Sequence, residues 1–372
     1  MAKRISAVLA LLLLAQLAAF RFPLPAAAAT DPKMFVIWSP RGIPASTQRH
    51  LEKVEGVRAA TGALLATDWL MRSWMPGGHK IDRLPSGYGY PMEVTAVHPG
   101  PFSHFVPGQY RDALRSLRHG EVVISRREER LRGEGVGLKL GFRSGRRDVS
   151  AVVSQAATGG YEAILATRPR EWSYRVRFFL VRGSDAVKKK RLRKAVIAAA
   201  GNIPLEIRSG KNDLLRYAPS IKPIASFKSR FGEFPAQPSS SGAFTIHPDW
   251  VGSHIRTESV PILGNVRCHK KLFRQLRGAL GELRDKGLGY LIRPDEYAGC
   301  YNSRFTALPP GTRLSRHSWG IAVDVNTEGN GLGQEPHQDP RLVKIMRKWG
   351  FVWGGTWLTP DGMHFEWGRF PD

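Results

Sequence analysis

Two short segments near the C-terminus place histidine and carboxylate side chains in a pattern typical of a metal site. Residues 314–326 (Leu-Ser-Arg-His-Ser-Trp-Gly-Ile-Ala-Val-Asp-Val-Asn) contain His317 and Asp324, and residues 360–367 contain His364. Two histidines and one carboxylate are a sufficient ligand set for a catalytic zinc ion, because the fourth tetrahedral position stays open for water. The sequence therefore predicts Zn2+ held by His317, Asp324 and His364, with His364 on a separate strand.

Catalysis at such a site needs a carboxylate that stays off the metal and accepts a proton from the activated water. Asp361 lies just before His364, across a glycine, and is close enough in sequence to reach the same water. Glu366 is the alternative base, because residues 364 and 366 point to the same face of a strand. Arg304, upstream of the first ligand, is the candidate for holding a substrate carbonyl or a terminal carboxylate.

The pattern S-x-H-x-x-G-x-A-x-D followed by D-x-x-H resembles the zinc D-alanyl-D-alanine carboxypeptidase family. That family also contains phage L-alanyl-D-glutamate endolysins and shares its fold with hedgehog signalling domains. The resemblance covers about residues 244–372 and implies a small α+β domain with a central antiparallel sheet. It also implies that His317, Asp324 and His364 bind zinc, that Asp361 is the general base and that Arg304 stabilises the transition state.

The resemblance implies a zinc metallopeptidase that hydrolyses a bond in the stem peptide of peptidoglycan. Many carboxypeptidase members carry Glu at the position of Asp361, whereas the endolysin-type branch carries Asp. Both a D-Ala-D-Ala carboxypeptidase and an L-Ala-D-Glu-type endopeptidase therefore remain open. The alternative is a non-catalytic, zinc-containing module for cell-wall binding or regulation.

Four further residues near the ligands are candidates for lining a substrate groove. They are Ser315, Trp353, Trp357 and Glu366. The two tryptophans could instead fill the small core of the domain.

The N-terminus and the cysteines both predict an extracytoplasmic protein of a bacterial cell envelope. Residues 1–29 carry the positive charges of Lys3 and Arg4 near their start, followed by an apolar run over 5–20 and by alanines at 26–29. This order of regions is typical of a secretory signal peptide. An uncleaved membrane anchor is the alternative, although the run is shorter than the roughly 20 residues that span a bilayer. Cys268 and Cys300 predict one disulfide in an oxidising compartment, with two buried free thiols as the alternative.

A Pro/Ser-rich stretch divides the chain before the metal motifs. We interpret residues 236–243 as a linker between a separate α+β domain at 30–235 and the peptidase domain at 244–372. In the first domain, the pattern predicts strands at 34–38, 174–181 and 203–207 and helices at 45–54 and 185–200. Three short segments of this domain resemble extracytoplasmic domains of bacterial ABC-type permeases of the macrolide-exporter class. The segments are 120–125, 135–140 and 149–153.

The chain has a formal charge of +25, from 56 Lys and Arg against 31 Asp and Glu. The strongest basic run, Lys188-Lys-Lys-Arg-Leu-Arg-Lys194, lies in the first domain. Export and the lack of a recognisable nucleic-acid-binding motif argue against a nucleic-acid partner. The basic first domain is therefore expected to contact an anionic wall polymer or a membrane surface. The run could instead be only the solvated face of a helix.

Overall fold

The structure is a computed structural model, and it describes residues 34–154, 157–158, 161–166, 176–201, 205–209, 224–239, 243–307, 313–357 and 359–370. The predicted signal peptide lies outside the described residues, as do residues 240–242 of the predicted linker. Within the described ranges, no helix has both the length and the apolar character needed to cross a membrane.

The chain folds into a mixture of helices and strands, in agreement with the predicted α+β class. The helices are α1 (Thr47–Glu52), α2 (Pro99–Ser103), α3 (Arg111–Arg115), α4 (Arg126–Arg132), α5 (Lys189–Ala200), α6 (Ile224–Phe231), α7 (Pro248–His254), α8 (Phe273–Asp285) and α9 (Pro340–Lys348). The strands are β1 (Met34–Ile43), β2 (Val57–Trp74), β3 (Tyr90–Val97), β4 (Glu121–Ser125), β5 (Lys139–Phe142), β6 (Gly145–Val153), β7 (Ala163–Leu165), β8 (Val176–Gly183), β9 (Glu206–Ser209), β10 (Ala236–Pro238), β11 (Phe244–Ile246), β12 (Ile255–Val260), β13 (Gly264–His269), β14 (Ala322–Asp324), β15 (Phe351–Trp353) and β16 (His364–Trp367). Short 3-10 helices lie at Gly108–Tyr110, Gly289–Leu291, Pro294–Glu296, Arg316–Trp319 and Gly354–Thr356.

The first part of the chain forms one mixed sheet in the order β3-β7-β4-β6-β5-β2-β8-β1-β9. Because β2 also pairs with β3, the six strands from β2 to β7 close into a ring. Side chains of β2 alternate between two cores: Leu64 and Ala66 pack in one apolar cluster, and Ala63 and Leu65 pack in the other. This alternation follows from the two-residue period of a strand and leaves both faces of the ring wall buried.

Strands β8, β1 and β9 extend the sheet beyond the ring. Helices α1 and α5 cover this extension through Leu51, Leu192 and Val196, all of which are buried. The predicted strand at 34–38 and the predicted helices at 45–54 and 185–200 are confirmed as β1, α1 and α5. The predictions at 174–181 and 203–207 agree with β8 and β9, although 174–175 and 203–204 lie outside the described residues.

The last part of the chain builds a smaller sheet with helices packed on it. Strands β14, β16 and β15 form an antiparallel sheet in that order, and α9 packs against both β15 and α8. One apolar core fills the space between them and includes Leu280 of α8, Met346 of α9 and Phe365 of β16. The amphipathic helices thus cover the sheet that carries two of the predicted metal ligands.

Ordered structure continues across the predicted domain boundary. The segment interpreted as a linker begins with β10, which pairs Ala236 with Ile246 and Pro238 with Phe244 of β11. Upstream of it, α6 and Phe234 pack into the same core as the last part of the chain. The ring centroids of Phe234 and Trp319 are 4.6 Å apart. Apolar contacts therefore hold residues 224–234 against the metal-site region.

A buried network of charged groups ties α6, which packs into the core of the last part of the chain, to the first part. Its members are Asp82, Glu128, Arg132, Glu162, Lys228 and Glu233. The Nζ atom of Lys228 lies 2.8 Å from a carboxylate oxygen of Glu162 and 2.8 Å from one of Glu233. Arg132 contacts Glu233 as well, together with Asp82 and Glu128. Buried charges lose their hydration, so each member depends on its partners in the network.

Replacing Lys228 with methionine should lower the free energy of unfolding by about 3–5 kcal/mol, because Glu162 and Glu233 would stay buried without the ammonium group. Guanidinium unfolding followed by tryptophan fluorescence measures this difference. Lys190→Met is the matched control, since Lys190 is exposed on α5 and should change stability by less than about 0.5 kcal/mol. Equal stabilities of the two variants would show that the network does not stabilise the fold.

Candidate metal centre

The small antiparallel sheet brings two of the predicted ligands face to face. In the pairing of β14 with β16, Asp324 lies directly opposite His364. His317 comes from the 3-10 helix Arg316–Trp319, which precedes β14. Gly320 lies between this 3-10 helix and β14 and has a φ of 65°. A Cβ atom at Gly320 would lie 2.7 Å from the backbone nitrogen of His269. The turn between the first two ligands therefore requires glycine.

The three predicted ligands meet in a buried cluster. Asp324 Oδ2 is 3.1 Å from His317 Nε2, and Asp324 Oδ1 is 3.0 Å from His364 Nδ1. The two ring nitrogens are 3.2 Å apart. One potential ligand atom from each residue lies within 4.8 Å of the others, so the group could hold a single metal ion.

Hydrogen bonds outside the cluster orient both imidazole rings. His317 Nδ1 lies 2.8 Å from the carbonyl oxygen of Cys300, to which it can donate, so Nε2 is left with its lone pair toward the cluster. His364 Nε2 lies 3.3 Å from a carboxylate oxygen of Glu366, so on this ring Nδ1 faces the cluster. The donor set is thus one Nε2, one Nδ1 and one carboxylate, which suits zinc.

The predicted disulfide is present and lies next to this arrangement. Cys268 of β13 is bonded to Cys300, with a Cα–Cα distance of 5.4 Å. Cys300 is also the residue whose carbonyl accepts the hydrogen bond from His317. The crosslink therefore ties the backbone that orients one ligand to a neighbouring strand. A structural disulfide is typical of an extracytoplasmic protein.

Charges in the cluster shift the protonation of two ligands. Burial disfavours the charged carboxylate of Asp324, but hydrogen bonds from His317 and His364 outweigh burial and hold its pKa well below the usual value. Burial likewise disfavours the charged form of His364, but hydrogen bonds to Asp324 and Glu366 outweigh burial and raise its pKa to about 10. A divalent cation must therefore displace a proton from His364 when it binds.

Asp361 lies beside the cluster without joining it. Its backbone carbonyl accepts a hydrogen bond from the N–H of His364 (3.2 Å). Burial raises the pKa of its carboxyl group, and the charge of Asp324 adds to this, while His364 and Arg304 lower it. The Oδ1 atom is buried and has no hydrogen-bond partner in the described part of the chain.

Arg304 and Trp357 border the cluster on other sides. Arg304 Nη2 is 3.1 Å from Asp324 Oδ2, and the side chain is 42% exposed, so the guanidinium connects the cluster to solvent. The ring of Trp357 lies 5.3 Å from that of His364. Among the described residues, neither Arg304 Nε nor Trp357 Nε1 has a hydrogen-bond partner, although both atoms are buried. Buried polar atoms without partners are rare, and here two donors and Asp361 Oδ1 surround one cluster.

The structure places the other groove candidates beneath the cluster. The Ser315 hydroxyl accepts a hydrogen bond from the His317 N–H (3.3 Å) and so caps the 3-10 helix. Trp353 donates from Nε1 to the carbonyl of Gly362 (2.7 Å) and stacks on Phe365. Glu366 is buried and holds His364. Of the four candidates, Trp357 and Glu366 each keep one buried polar atom, Nε1 and Oε1 respectively, without a hydrogen-bond partner in the described part of the chain.

Two supporting residues were not identified from the sequence. Arg316 is fully buried, its guanidinium lies 4.1 Å from the ring centroid of Phe227, and its charge helps lower the pKa of Glu366. Gly354 packs against Asp361, because a Cβ atom there would lie 2.6 Å from the Asp361 carbonyl oxygen. The double glycine between Trp353 and Trp357 was the available signal for this close approach. No sequence signal distinguished Arg316 from the many other arginines.

No curated protein is significantly similar in sequence to this chain. The periplasmic region of MacB from Actinobacillus actinomycetemcomitans is a similar solved structure, with 13% identity and a TM-score of 0.35 over 50% of this chain and 92% of that chain. A TM-score this low supports no conclusion about fold or function.

A family model described as D-alanyl-D-alanine carboxypeptidase matches residues 310–367. This segment contains His317, Asp324, Asp361 and His364. The resemblance predicted from the motifs is thereby confirmed. The segment of the chain that contains the candidate metal centre is therefore similar to the D-alanyl-D-alanine carboxypeptidase family, whose members are zinc peptidases.

Proposed function

We propose that this protein is a zinc-dependent peptidase that hydrolyses a bond in the stem peptide of peptidoglycan. The observation that carries the proposal is the buried cluster of His317, Asp324 and His364, set in a segment that matches the carboxypeptidase family. The unpaired polar atoms around the cluster add support, because they provide an acceptor and two donors for water and substrate.

The ligand set would hold zinc through His317 Nε2, His364 Nδ1 and a carboxylate oxygen of Asp324. Zinc bound there would supply Lewis-acid activation of water and of the substrate carbonyl. Glu366 and the Cys300 carbonyl keep both rings in the required tautomers. Mutation of such outer partners commonly weakens metal binding, so Glu366 has a holding role in this proposal.

Asp361 is the general base. Its Oδ1 atom takes a proton from the attacking water and later returns the proton to the amine of the leaving peptide. Burial raises the pKa of Asp361, and a base whose pKa is closer to neutral exchanges protons more readily at neutral pH. Glu366 is a poorer base, because its carboxylate is already engaged by His364 and lies near the charge of Arg316.

Arg304 and Trp357 position the substrate. The exposed side of the Arg304 guanidinium suits a carboxylate of the stem peptide, and its charge stabilises the oxyanion that develops on the scissile carbonyl. The indole N–H of Trp357 supplies a neutral donor next to His364. These two donors hold the peptide against the cluster while Asp361 moves the proton.

Two bonds of the stem peptide fit this site. Removal of a terminal D-alanine would use Arg304 to bind the terminal carboxylate, and cleavage between L-alanine and D-glutamate would use it to bind the glutamate. The presence of Asp at position 361 resembles the endolysin-type branch. We further propose that residues 1–29 export the protein and that it acts at the bacterial cell envelope.

The purified protein should cleave muropeptides, lose the activity to a chelator and recover it on addition of zinc. Mass spectrometry of the products identifies the bond that is cut. His317→Ala serves as a control that zinc should not rescue. Zinc binding without cleavage of any stem peptide would overturn the proposed reaction and favour a non-catalytic wall-binding or regulatory module.

Two carboxylate variants separate the base from the outer partner. Asp361→Asn should lower kcat by about 10²-fold or more while zinc affinity stays close to that of the parent. Glu366→Gln should weaken zinc binding by about 10–100-fold and regain most of its activity at saturating zinc. The reverse result, with kcat lost at saturating zinc only in Glu366→Gln, would assign the base to Glu366.

Zinc binding at neutral pH should release about one proton, because His364 has a pKa of about 10 before the metal binds. Since the proton competes with the metal below this pKa, zinc affinity should rise as the pH increases from 6 to 8 by about tenfold per unit. Calorimetry in buffers of different ionisation enthalpy counts the protons. An affinity that does not vary with pH would contradict the role given to His364.

A further inference from the structure

Helices α1 and α5 together present a concentrated basic surface on the first part of the chain. The α1–α5 basic surface consists of Arg49, Lys53, Lys188, Lys189, Lys190, Arg193 and Lys194, all exposed. The two helices pack against each other, so these side chains lie on one side of the sheet extension. None of the seven makes an ion pair within the residues that the structure describes.

Nearby acidic groups do not neutralise this surface. Glu55 pairs with Arg191 (2.9 Å) and Asp185 with Arg58 (3.7 Å), so these two carboxylates compensate cations outside the set of seven. Glu52 of α1 is exposed and accepts a hydrogen bond from Gln48 (2.9 Å), so one acidic group stands beside seven cations. The first turn of α5 contains no acidic residue. A strong positive potential is therefore expected over the outer faces of both helices.

Packing and helix stability do not explain the charges. The apolar face of α5, with Leu192 and Val196 fully buried, already holds the helix on the sheet. Pairs such as Lys190 and Lys194 place like charges one turn apart, which destabilises a helix. Cations in the first turn also oppose the helix dipole. A surface that disfavours its own helix points to an anionic partner.

The position of the surface indicates which partner is in reach. Met34, the first described residue, pairs with Arg182 of β8, and α5 follows β8 directly. The basic first turn of α5 thus lies at the end of the sheet where the chain arrives from its N-terminus. As long as residues 1–29 stay attached, only residues 21–33 separate Met34 from the apolar run at 5–20, a reach of at most about 45 Å.

We propose that the α1–α5 basic surface binds the headgroups of anionic phospholipids and holds the protein against a membrane. Ile197, one turn beyond Arg193 on α5, is 38% exposed and can enter the boundary between headgroups and acyl chains. Charge complementarity, together with an exposed apolar side chain among the cations, favours a membrane over a soluble polyanion. The surface is separate from the metal centre and does not depend on the proposed peptidase activity.

Vesicle sedimentation tests whether the α1–α5 basic surface binds anionic lipid. The assay compares vesicles of mixed phosphatidylglycerol and phosphatidylcholine with vesicles of phosphatidylcholine alone. The protein should bind the anionic vesicles only, and high salt should release it. The triple variant Lys189→Glu, Lys190→Glu and Lys194→Glu should bind at least about tenfold more weakly. Because glutamate in the first turn suits the helix dipole, this variant should keep its fold, as circular dichroism would verify.

The matched control reverses three exposed basic residues on α8 and α9: Arg274→Glu, Lys344→Glu and Arg347→Glu. It has the same net charge as the test variant and should bind anionic vesicles like the parent. An equal loss of binding in both variants would show that net charge, and not the α1–α5 basic surface, drives binding, and would overturn the proposal. Binding to teichoic acid without binding to vesicles would also overturn it, because the partner would then be a wall polymer and not a membrane. Cleavage of soluble muropeptides is the separate readout for the peptidase and should not differ between the variants.

Discussion

The pairing register of β14 with β16 is the constraint on which the metal centre depends. Backbone hydrogen bonds hold Asp324 opposite His364, and the 3-10 helix before β14 adds His317 from the same side. Because side chains alternate along a strand, a slip of one residue would turn one ligand to the opposite face and dismantle the cluster. The glycine turn at Gly320 and the tightly packed Gly354 serve this register, since both allow backbones to approach where a side chain would collide.

Support for the metal centre extends into the first part of the chain through α6. Glu366 lies within hydrogen-bond distance of His364, and the charge of Arg316 helps lower the pKa of Glu366. The guanidinium of Arg316 lies over the ring of Phe227 on α6. The same helix carries Lys228, whose ammonium group pairs with a glutamate of the ring of strands. One helix thus contacts both the metal-site core and the buried charge network. A continuous series of contacts therefore runs from the candidate ligands to the first part of the chain.

The ligands were predictable from the sequence because metal chemistry restricts them to a few residue types at characteristic spacings. The choice of Asp361 or Glu366 as the general base could not be predicted from the sequence. Strand alternation brings Glu366 to the same face as His364, but it does not show whether Glu366 binds the imidazole ring or a water molecule. The stretch at 236–243 illustrates a different limit. Its Pro/Ser-rich composition predicts a break, but the pairing of Ala236 with Ile246 depends on a partner strand that composition does not reveal. The apolar face of α6 likewise does not specify which core it enters.

The sequence by itself determined the identity of the three candidate ligands, the disulfide, the main helices and strands of the first part and the concentration of positive charge on α5. Each follows from local information: residue chemistry, spacing, or the period of the apolar side chains. Only the tertiary structure decided which ring nitrogens face the cluster, which carboxylate engages a ligand ring, and how α6 joins the ring of strands to the metal-site core. These features arise between segments far apart in the chain, where hydrogen-bond partners and burial are set by packing.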